Sequence, residues 1–556
     1  MFKKHIYRAA FASDGILSAH NIYQSDNTMT FAVNSESDDL KAFANSHRPR
    51  RTPSQQKKPN KKSEKVYEID LKTILIAAAA LVALILLIVM IVVAANSSGS
   101  NIEKENNTYV SFEKDGLYYI AVNGTTLDET FDNEIELVPA LDNSFAYVFE
   151  KTPDGHLAYV LEKKKLNEAI KSPSGEIIAY AELTPGIIYR DGNNINYFSN
   201  NNDDILTRND PTARNFVISQ DASAIAYTVS SDNNANESKL FMYANGVRQS
   251  YATNMVPVAV SKGGKHLYAY GISSEDFVTK NLYVINTLDD EKLEIDSNFY
   301  SANALNIKGD ELVYTLSTEK GYQTKIYNTK KEKSYMIGGG ICEPMTAGNT
   351  VKLATFKSAV FENTFIPDGA DRSYSATYFV NKSYKATKLS KYNGTLNSDG
   401  DVFYFVDLDD TLYSVEIGKK KAEPEEIAIG VIEFVITEKD NLYYLDDSKY
   451  LWFDKLSGGK KQIETQVADI SFNVYSNTLY FEIIDDESIY STEEGSGKIA
   501  VKFAKDDIDT IPEFLDNGLK RTFTVVFDAE SSTYNIYYTS TGKSFKLIEE
   551  ECNAVN

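Results

Sequence analysis

The sequence predicts an all-β protein: a single β-propeller of about seven or eight four-stranded blades, exported behind one N-terminal transmembrane helix. Two observations predict this architecture. A strand-and-turn motif recurs every 36 to 47 residues, with one double interval of 91, and a run of 22 residues from Ile74 to Ala95 contains no charged side chain. They divide the chain into a tail (1–73), a membrane span (74–95), a linker (96–107) and a propeller (108–552).

The apolar run is long enough to cross a lipid bilayer. As a helix it extends roughly 33 Å, against a hydrocarbon core of about 30 Å. A cleaved signal peptide has an apolar core of about 7–15 residues behind a short basic start. Here the start is 73 residues long and the core is 22 residues long, so we interpret the run as an uncleaved signal anchor.

The charges beside the run predict its orientation. Ten Lys/Arg and only three Asp/Glu lie between Lys41 and Lys72. Because positive residues resist translocation, we expect a cytoplasmic N-terminus and an extracytoplasmic C-terminal domain at the cell membrane. Segment 46–65 has almost no apolar residue, so the tail is predicted to be mostly disordered. Residues 1–72 carry a net charge of +5 and the rest −27, which argues against nucleic acid as a partner of the exported domain.

Cysteine usage indicates the compartment. The chain has two cysteines, Cys342 and Cys552, both in the exported part. A eukaryotic extracellular domain of this size would carry more disulfides, so the pattern favours a bacterial cell envelope. Sequence does not decide whether the two cysteines pair, and a disulfide that closes the last blades stays open as an alternative.

The repeat behind the apolar run is one of short strands. Each copy is a polar turn followed by an alternating apolar and aromatic strand, as in SQDASAIAY (219–227), NIKGDELVY (306–314) and NSDGDVFYF (397–405). Tyr, Phe, Val and Ile suit a half-buried pleated surface, and Asp-Gly turns supply the positive φ of a tight hairpin. An all-strand period of about 40–45 residues is typical of a four-stranded propeller blade.

One copy of the motif carries a family resemblance. SPSGEIIAY (172–180) is the best-preserved copy, and it resembles the blade repeat of TolB-type propellers and of dipeptidyl-peptidase propeller domains. The later LYY and LYSV copies resemble membrane-anchored bacterial propellers of uncharacterised function. The resemblance covers roughly 108–550 and implies the fold, whereas it implies no particular activity, because propellers host many.

The sequence predicts no catalytic, cofactor-binding or metal-binding residue. His156 and His266 each stand in a strand-start motif whose equivalent position elsewhere holds Glu176, Ala224 or Glu311, so we interpret them as exposed positions near turns. There is no G-x-S-x-G or H-E-x-x-H motif. Two acidic segments, 231–238 and 407–411, suggest calcium loops, but the first lacks the Gly and final Glu of an EF-hand. Both are predicted to be turns.

Two functions follow as hypotheses. The first is a non-catalytic, single-pass membrane scaffold or sensor whose propeller binds a protein or a cell-wall polymer, without a cofactor. The alternative is a propeller enzyme, a hydrolase or lyase of envelope polymers, that uses carboxylates of the central channel. A cluster of mutually close, buried carboxylates with a histidine or metal on the channel axis would favour the enzyme.

Overall fold

The computed structural model describes two parts of the chain. The described residues are 19–25, 28–33, 102–103 and 107–555, except for 200–201, 209, 232–233, 273–277, 346–349, 352–354, 365–375, 420–422, 457, 474–476, 487, 501, 504–505, 508–509, 516–520, 529–530 and 541–543. The predicted membrane span, 74–95, and most of the predicted disordered tail lie outside them. Within the described residues, no helix has the length and apolar character needed to cross a membrane.

The first compact unit comprises residues 1–87. Its described part is one antiparallel hairpin, formed by strands Ala19–Ser25 and Thr28–Val33.

The second unit, residues 88–556, is built from antiparallel four-stranded sheets that follow one another along the chain. The described residues form nine such sheets and one seven-stranded sheet. The seven-stranded sheet comprises two blades that share the strand Lys165–Tyr180, so we number blades 1 to 11. The strands of blades 1 to 4 are Tyr109–Lys114, Leu117–Val122, Thr125–Thr126 and Ala554–Val555; Ile135–Pro139, Ala146–Thr152, Gly155–Glu162 and Lys165–Tyr180; the same Lys165–Tyr180 with Gly186–Asp191, Asn194–Ser199 and Asn202–Thr207; Ala213–Ile218, Ala224–Ser231, Asn234–Ala244 and Val247–Thr253.

The middle of the chain forms blades 5 to 8. Their strands are Met255–Val260, His266–Ile272, Lys280–Asn286 and Glu291–Asp296; Phe299–Leu305, Glu311–Thr318, Gly321–Asn328 and Lys333–Gly339; Cys342–Pro344, Ala359–Asn363, Thr377–Val380 and Ala386–Ser390; Thr395–Leu396, Val402–Val406, Leu412–Glu416 and Glu425–Ala428.

The last three blades complete the unit. Their strands are Val431–Ile436, Leu442–Asp446, Leu451–Lys455 and Gly459–Glu464; Val467–Asn473, Thr478–Ile483, Ile489–Glu493 and Ile499–Ala500; Glu513–Phe514, Thr522–Asp528, Thr533–Thr539 and Phe545–Cys552. The elements outside the blades are the pairs Ile102–Glu103 with Thr350–Val351 and Lys502–Phe503 with Asp506–Asp507, and the 3-10 turn Lys262–Gly264.

The two ends of the propeller segment meet in blade 1. Val555 pairs with Phe112 and Ala554 pairs with Glu113, so the C-terminal strand completes a sheet whose other three strands are N-terminal. An apolar cluster between blades 11 and 1 includes Phe523 and Val110. Each of the remaining pairs of successive blades also has an apolar cluster between its two sheets. The blades therefore form a closed ring. The closing strand extends beyond the predicted propeller end at 552.

The polar residue that opens most motif copies is a turn cap. Ser219 Oγ accepts hydrogen bonds from the main-chain N–H groups of Ser223 and Ala224, at 2.9 and 3.0 Å. The same role belongs to Ser261, Asn306, Asn397 and Thr437. A short side-chain acceptor satisfies the amides of the turn and fixes the register of the first hairpin. This capping explains why Ser, Asn or Thr begins the motif.

The all-β propeller fold is confirmed, and the expected blade number of seven or eight is wrong. The second strands of blades 4, 5 and 6 begin at Ala224, His266 and Glu311, which are 42 and 45 residues apart. Other blades are shorter, as the 36 residues between Leu442 in blade 9 and Thr478 in blade 10 show, and eleven blades therefore fit into 107–555. The best-preserved copy, 172–180, marks no hairpin turn. It belongs to the 16-residue strand Lys165–Tyr180 that blades 2 and 3 share.

Candidate functional site

The first strands of four successive blades line a cavity of about 520 Å³. These strands belong to blades 4 to 7, and the turns before the second strands of blades 2, 3 and 4 add Leu141, Glu182 and Gln220. The first strand of a propeller blade faces the central channel. The cavity therefore lies on the channel side of the ring.

The wall of this channel cavity is mainly aliphatic. Four of the sixteen lining residues are polar, namely Glu182, Gln220, Asn303 and Glu343. The apolar ones are Leu141, Val217, Ile218, Val258, Ala259, Val260, Ala302, Ala304, Leu305, Leu312, Pro344 and Met345. Because apolar groups gain free energy on leaving water, this composition suits a ligand that presents an apolar surface with a few polar or cationic groups.

The sequence contains a signal for these strands that is not part of the blade repeat. The first strand of blade 5 reads MVPVAV, an apolar run interrupted by Pro257, and Pro344 ends the first strand of blade 7. Proline lacks an N–H group and occurs in sheets mainly on edge strands. A proline within a short apolar run thus indicates the channel-facing edge of a blade.

Burial raises the pKa of two carboxyl groups on the channel side, those of Glu182 and Glu362. Glu182 is open to the channel, yet the protein surrounding it removes solvation and raises its pKa, an effect that the Gln220 side chain opposes. Glu343 stands directly opposite Glu362 in blade 7. Burial first and the charge of Glu343 second raise the pKa of Glu362. Thus part of the channel wall carries paired acids.

A second acidic pair lies on the first strands of blades 9 and 10. Desolvation and then the neighbouring Asp469 raise the pKa of Glu433. Over the described part of the chain, no three His, Cys, Asp or Glu residues come together as a group that could hold a metal ion. The acid pairs described on the channel side are therefore Glu343 with Glu362 and Glu433 with Asp469.

Neither histidine lines the channel cavity. His156 is in the third strand of blade 2 and borders a different cavity with Glu176 and Arg190, which form an ion pair at 3.3 Å. His266 begins the second strand of blade 5, where burial and then Lys265 lower its pKa. The prediction that both are exposed is wrong: each is half-buried, because the strand starts pack between blades.

The acidic segments differ in how far they are described. In 407–411, Asp407 accepts hydrogen bonds from the N–H groups of Asp409 and Thr411, at 3.0 and 2.9 Å, which confirms a turn. Residues 232–233 of the other segment lie outside the described residues.

The two cysteines are free and buried, in blades 7 and 11. They belong to different apolar clusters, so the disulfide left open by the sequence is not formed. Burial raises the pKa of Cys342 to about 11 and that of Cys552 to about 12.

Comparisons with known proteins add a fold likeness. No protein-family model matches the chain, and no curated protein matches it either. Among solved structures, the chain is similar to the β-propeller domain of the Trilobed protease from Pyrococcus furiosus, with 13% identity, 61% of this chain and 98% of that chain covered, and a TM-score of 0.25. It is also similar to a putative TolB from Agrobacterium tumefaciens, with 11% identity, 58% of this chain and 99% of that chain covered, and a TM-score of 0.26. A third similar structure is an oligogalacturonate lyase in complex with manganese, with 9% identity, 57% of this chain and 99% of that chain covered, and a TM-score of 0.32.

These neighbours include TolB-type and other propellers, as the blade repeat predicts. Their TM-scores are too low to carry an argument about function. The assignment of the fold depends on the sheet order of the chain itself.

Proposed function

We propose that the chain is a non-catalytic, membrane-anchored scaffold or sensor of the bacterial envelope that holds an apolar, basic segment of a partner protein in its channel cavity. The observation that carries the binding proposal is the aliphatic wall with Glu182 and Glu343 as its only charged members. Apolar side chains of the partner would fill the cavity, and a Lys or Arg would lie near the carboxylates. The anchor at 74–95 and the cytoplasmic tail are supported by the sequence pattern alone.

A photo-crosslinking residue in place of Ala302, on the cavity wall, tests the binding proposal in the full-length chain in native membranes. We expect one protein adduct whose crosslinked peptide is apolar and contains Lys or Arg. The same crosslinker in place of Val247, which is 62% exposed and outside the cavity, is the matched control. Failure of Ala302 to give a protein adduct, or equal adducts at both positions, would contradict the proposal.

A charge-reversal variant provides a second test of the binding proposal. Glu343→Lys should abolish the Ala302 adduct, because it turns attraction for a cationic segment into repulsion. Lowering the pH should weaken the adduct earlier than an ordinary glutamate would, since Glu182 has a raised pKa and loses its charge sooner. Glu182→Gln should remove part of that pH dependence.

Membrane topology has its own test. In intact cells, a membrane-impermeant maleimide should label a cysteine introduced at exposed Val247 and leave one introduced at Ser63 unlabelled. Labelling at Ser63 and not at Val247 would show that the chain has the opposite orientation in the membrane.

The alternative, a propeller enzyme acting on envelope polymers, is favoured by one observation. Glu362 is a carboxyl group with a raised pKa beside a second acid, Glu343, which is a combination that suits general acid–base catalysis. Under this alternative, Glu362→Gln abolishes release of soluble fragments from isolated cell walls. Under the scaffold proposal, the wild-type chain releases none.

A further inference from the structure

Three aromatic rings form a stack in a cavity between blades 7 and 8. The ring centroids of Tyr392 and Phe405 are 5.9 Å apart, with 24° between their planes. Phe405 and Tyr413 are 5.3 Å apart at 21°. These rings line a cavity of about 640 Å³, separate from the channel cavity, and Lys388 and Lys391 stand at its rim. We call these five residues the aromatic groove.

The same stack occurs in blade 4, where a cation covers it. Phe216, Tyr227 and Phe241 stack in succession, and the guanidinium of Arg248 lies 4.0 Å from the Phe241 ring centroid. Arg248 is on the fourth strand and pairs with Tyr243, two residues after Phe241. The cation therefore occupies the outer face of the stack, where the negative charge of the π-system attracts it.

Two further blades place a cation by the same register. In blade 9, Lys460 lies 4.3 Å from the Trp452 ring and pairs with Asp454. In blade 5, Lys292 lies 4.9 Å from the Tyr283 ring and pairs with Ile285. In each case the partner of the cation comes two residues after the aromatic residue. A fourth-strand cation at this register position covers an aromatic stack in blades 4 and 9 and a single tyrosine ring in blade 5.

Blade 8 departs from this arrangement. Ser414 pairs with Glu425, so the register position opposite Val415, two residues after Tyr413, belongs to Pro424. Pro424 carries no charge and lines the cavity instead of covering the stack. Tyr413 and Tyr392 are half-buried, so part of each ring remains accessible, whereas Phe405 is 5% exposed and stacks with both as the middle ring.

The rim charges indicate what occupies the groove. Lys388 and Lys391 are exposed, and neither takes part in an ion pair among the described residues. Tyr392 is held in place, since its N–H donates to Ser390 Oγ at 2.8 Å and its carbonyl accepts from the Thr377 hydroxyl at 3.1 Å. One carboxylate, Asp407, also lines the cavity, and its Oδ1 accepts hydrogen bonds from the N–H groups of Asp409 and Thr411. The groove thus combines fixed aromatic faces with two available ammonium groups and one carboxylate that the main chain already binds.

We infer that the aromatic groove is a binding site for an anionic glycan. The C–H groups on one face of a sugar ring carry partial positive charge and pack against the negative face of an aromatic ring, in the place that a cation takes in blade 4. A carboxylate or phosphate on the sugar accepts charge-assisted hydrogen bonds from Lys388 and Lys391. The site is independent of the channel cavity and of the protein partner proposed for it.

The test uses the full-length chain in detergent and three probes of stated chemistry. They are a hyaluronan tetrasaccharide, its carboxyl-reduced neutral form, and poly(glycerol phosphate), which has phosphates and no sugar ring. We expect saturable binding of the tetrasaccharide and no binding of poly(glycerol phosphate). The neutral form should bind more weakly by about tenfold or more, because its charge-assisted hydrogen bonds are lost. Tight binding of poly(glycerol phosphate) alone would overturn the role of the stack.

Variants separate the groove from a general surface effect. Tyr413→Ala should abolish binding, and Pro424→Lys should also abolish it by supplying the missing cation without removing any ring. Lys382→Ala, an exposed lysine of blade 7 outside the groove, is the matched control and should bind like the wild type. Thermal unfolding of each variant confirms that it is folded. Unchanged binding in folded Pro424→Lys protein, or no saccharide binding by the wild type, would overturn the inference.

Discussion

The hydroxyl of Tyr268 in blade 5 donates a hydrogen bond to the main-chain carbonyl of Gly309 in blade 6, across 2.9 Å. Tyr268 is fully buried, so this bond joins two blades out of contact with water. Tyr147 of blade 2 makes the equivalent bond to Ala181 at the start of the next turn, at 2.7 Å. A buried tyrosine thereby ties a blade to the first turn of its successor.

Tyr268→Phe should destabilise the ring by about 1–2 kcal/mol, because the Gly309 carbonyl loses its partner while it stays buried. Thermal unfolding of the full-length protein measures the loss. The control is Tyr450→Phe, at a tyrosine that is 38% exposed, and it should change the stability by less than about 0.5 kcal/mol. Equal unfolding temperatures for the two variants would show that the bond contributes nothing.

Glu311→Ala should destabilise blades 6 and 7 by roughly 2–4 kcal/mol. The side chain is 4% exposed and accepts hydrogen bonds from the Thr355 hydroxyl, at 3.0 Å to each oxygen, and from the Phe356 N–H at 2.5 Å. It also accepts one from the Tyr384 hydroxyl. Removing it leaves these donors buried without an acceptor.

The control for this change is Glu416→Ala. Glu416 is 55% exposed and pairs with Lys419 at the surface, so we expect a loss below about 1 kcal/mol. A double-mutant cycle of Glu311→Ala with Tyr384→Phe should show coupling, since both changes act on one network. Strict additivity would mean that the two groups act separately.

Deletion of 554–556 should open the ring. The deleted strand supplies the partners of Phe112 and Glu113, so blade 1 becomes three-stranded. Hydrogen exchange should quicken in Tyr109–Lys114 and hardly change in Leu442–Asp446, far from the closing blade along the chain. Deletion of Asn556 alone is the control, and uniform exchange changes across both strands would indicate global rather than local opening.

Both thiols should react with maleimide only upon unfolding. The pKa values of about 11 and 12 leave Cys342 and Cys552 protonated at pH 8, and burial blocks access. An acid whose pKa is raised by folding stabilises the fold below its unfolded pKa, near 9, and this stabilisation is lost as the pH rises through about 11 to 12. Fast labelling of the native chain at pH 8 would contradict this burial.

Local patterning made the fold class predictable. Alternating strands such as Glu311–Thr318 and the turns capped by Ser219 or Asn306 can be recognised from a few neighbouring residues, because both depend on near-neighbour geometry. The motif at 172–180 misled for the same reason. Its residues suit a hairpin turn, but in the folded protein they belong to the long strand Lys165–Tyr180. The hairpin is formed instead by the turn that follows, before Gly186.

The candidate sites were less predictable because they join distant segments. The channel cavity brings Leu141 and Met345 to one wall, more than 200 residues apart in the chain, and no local pattern records that proximity. The aromatic groove depends on Pro424 occupying a position where other blades carry a cation. The missing cation can be recognised only when the strand register is known.

The C-terminal strand in blade 1 has a consequence for how the protein is made. Until residues Ala554 and Val555 leave the ribosome, Tyr109–Lys114 lacks its last partner, so the growing chain presents an unpaired strand edge while the residues between these two segments are synthesised. Such edges invite intermolecular pairing. The pairing of Ala554 and Val555 thus decides when this strand edge stops being available to other chains.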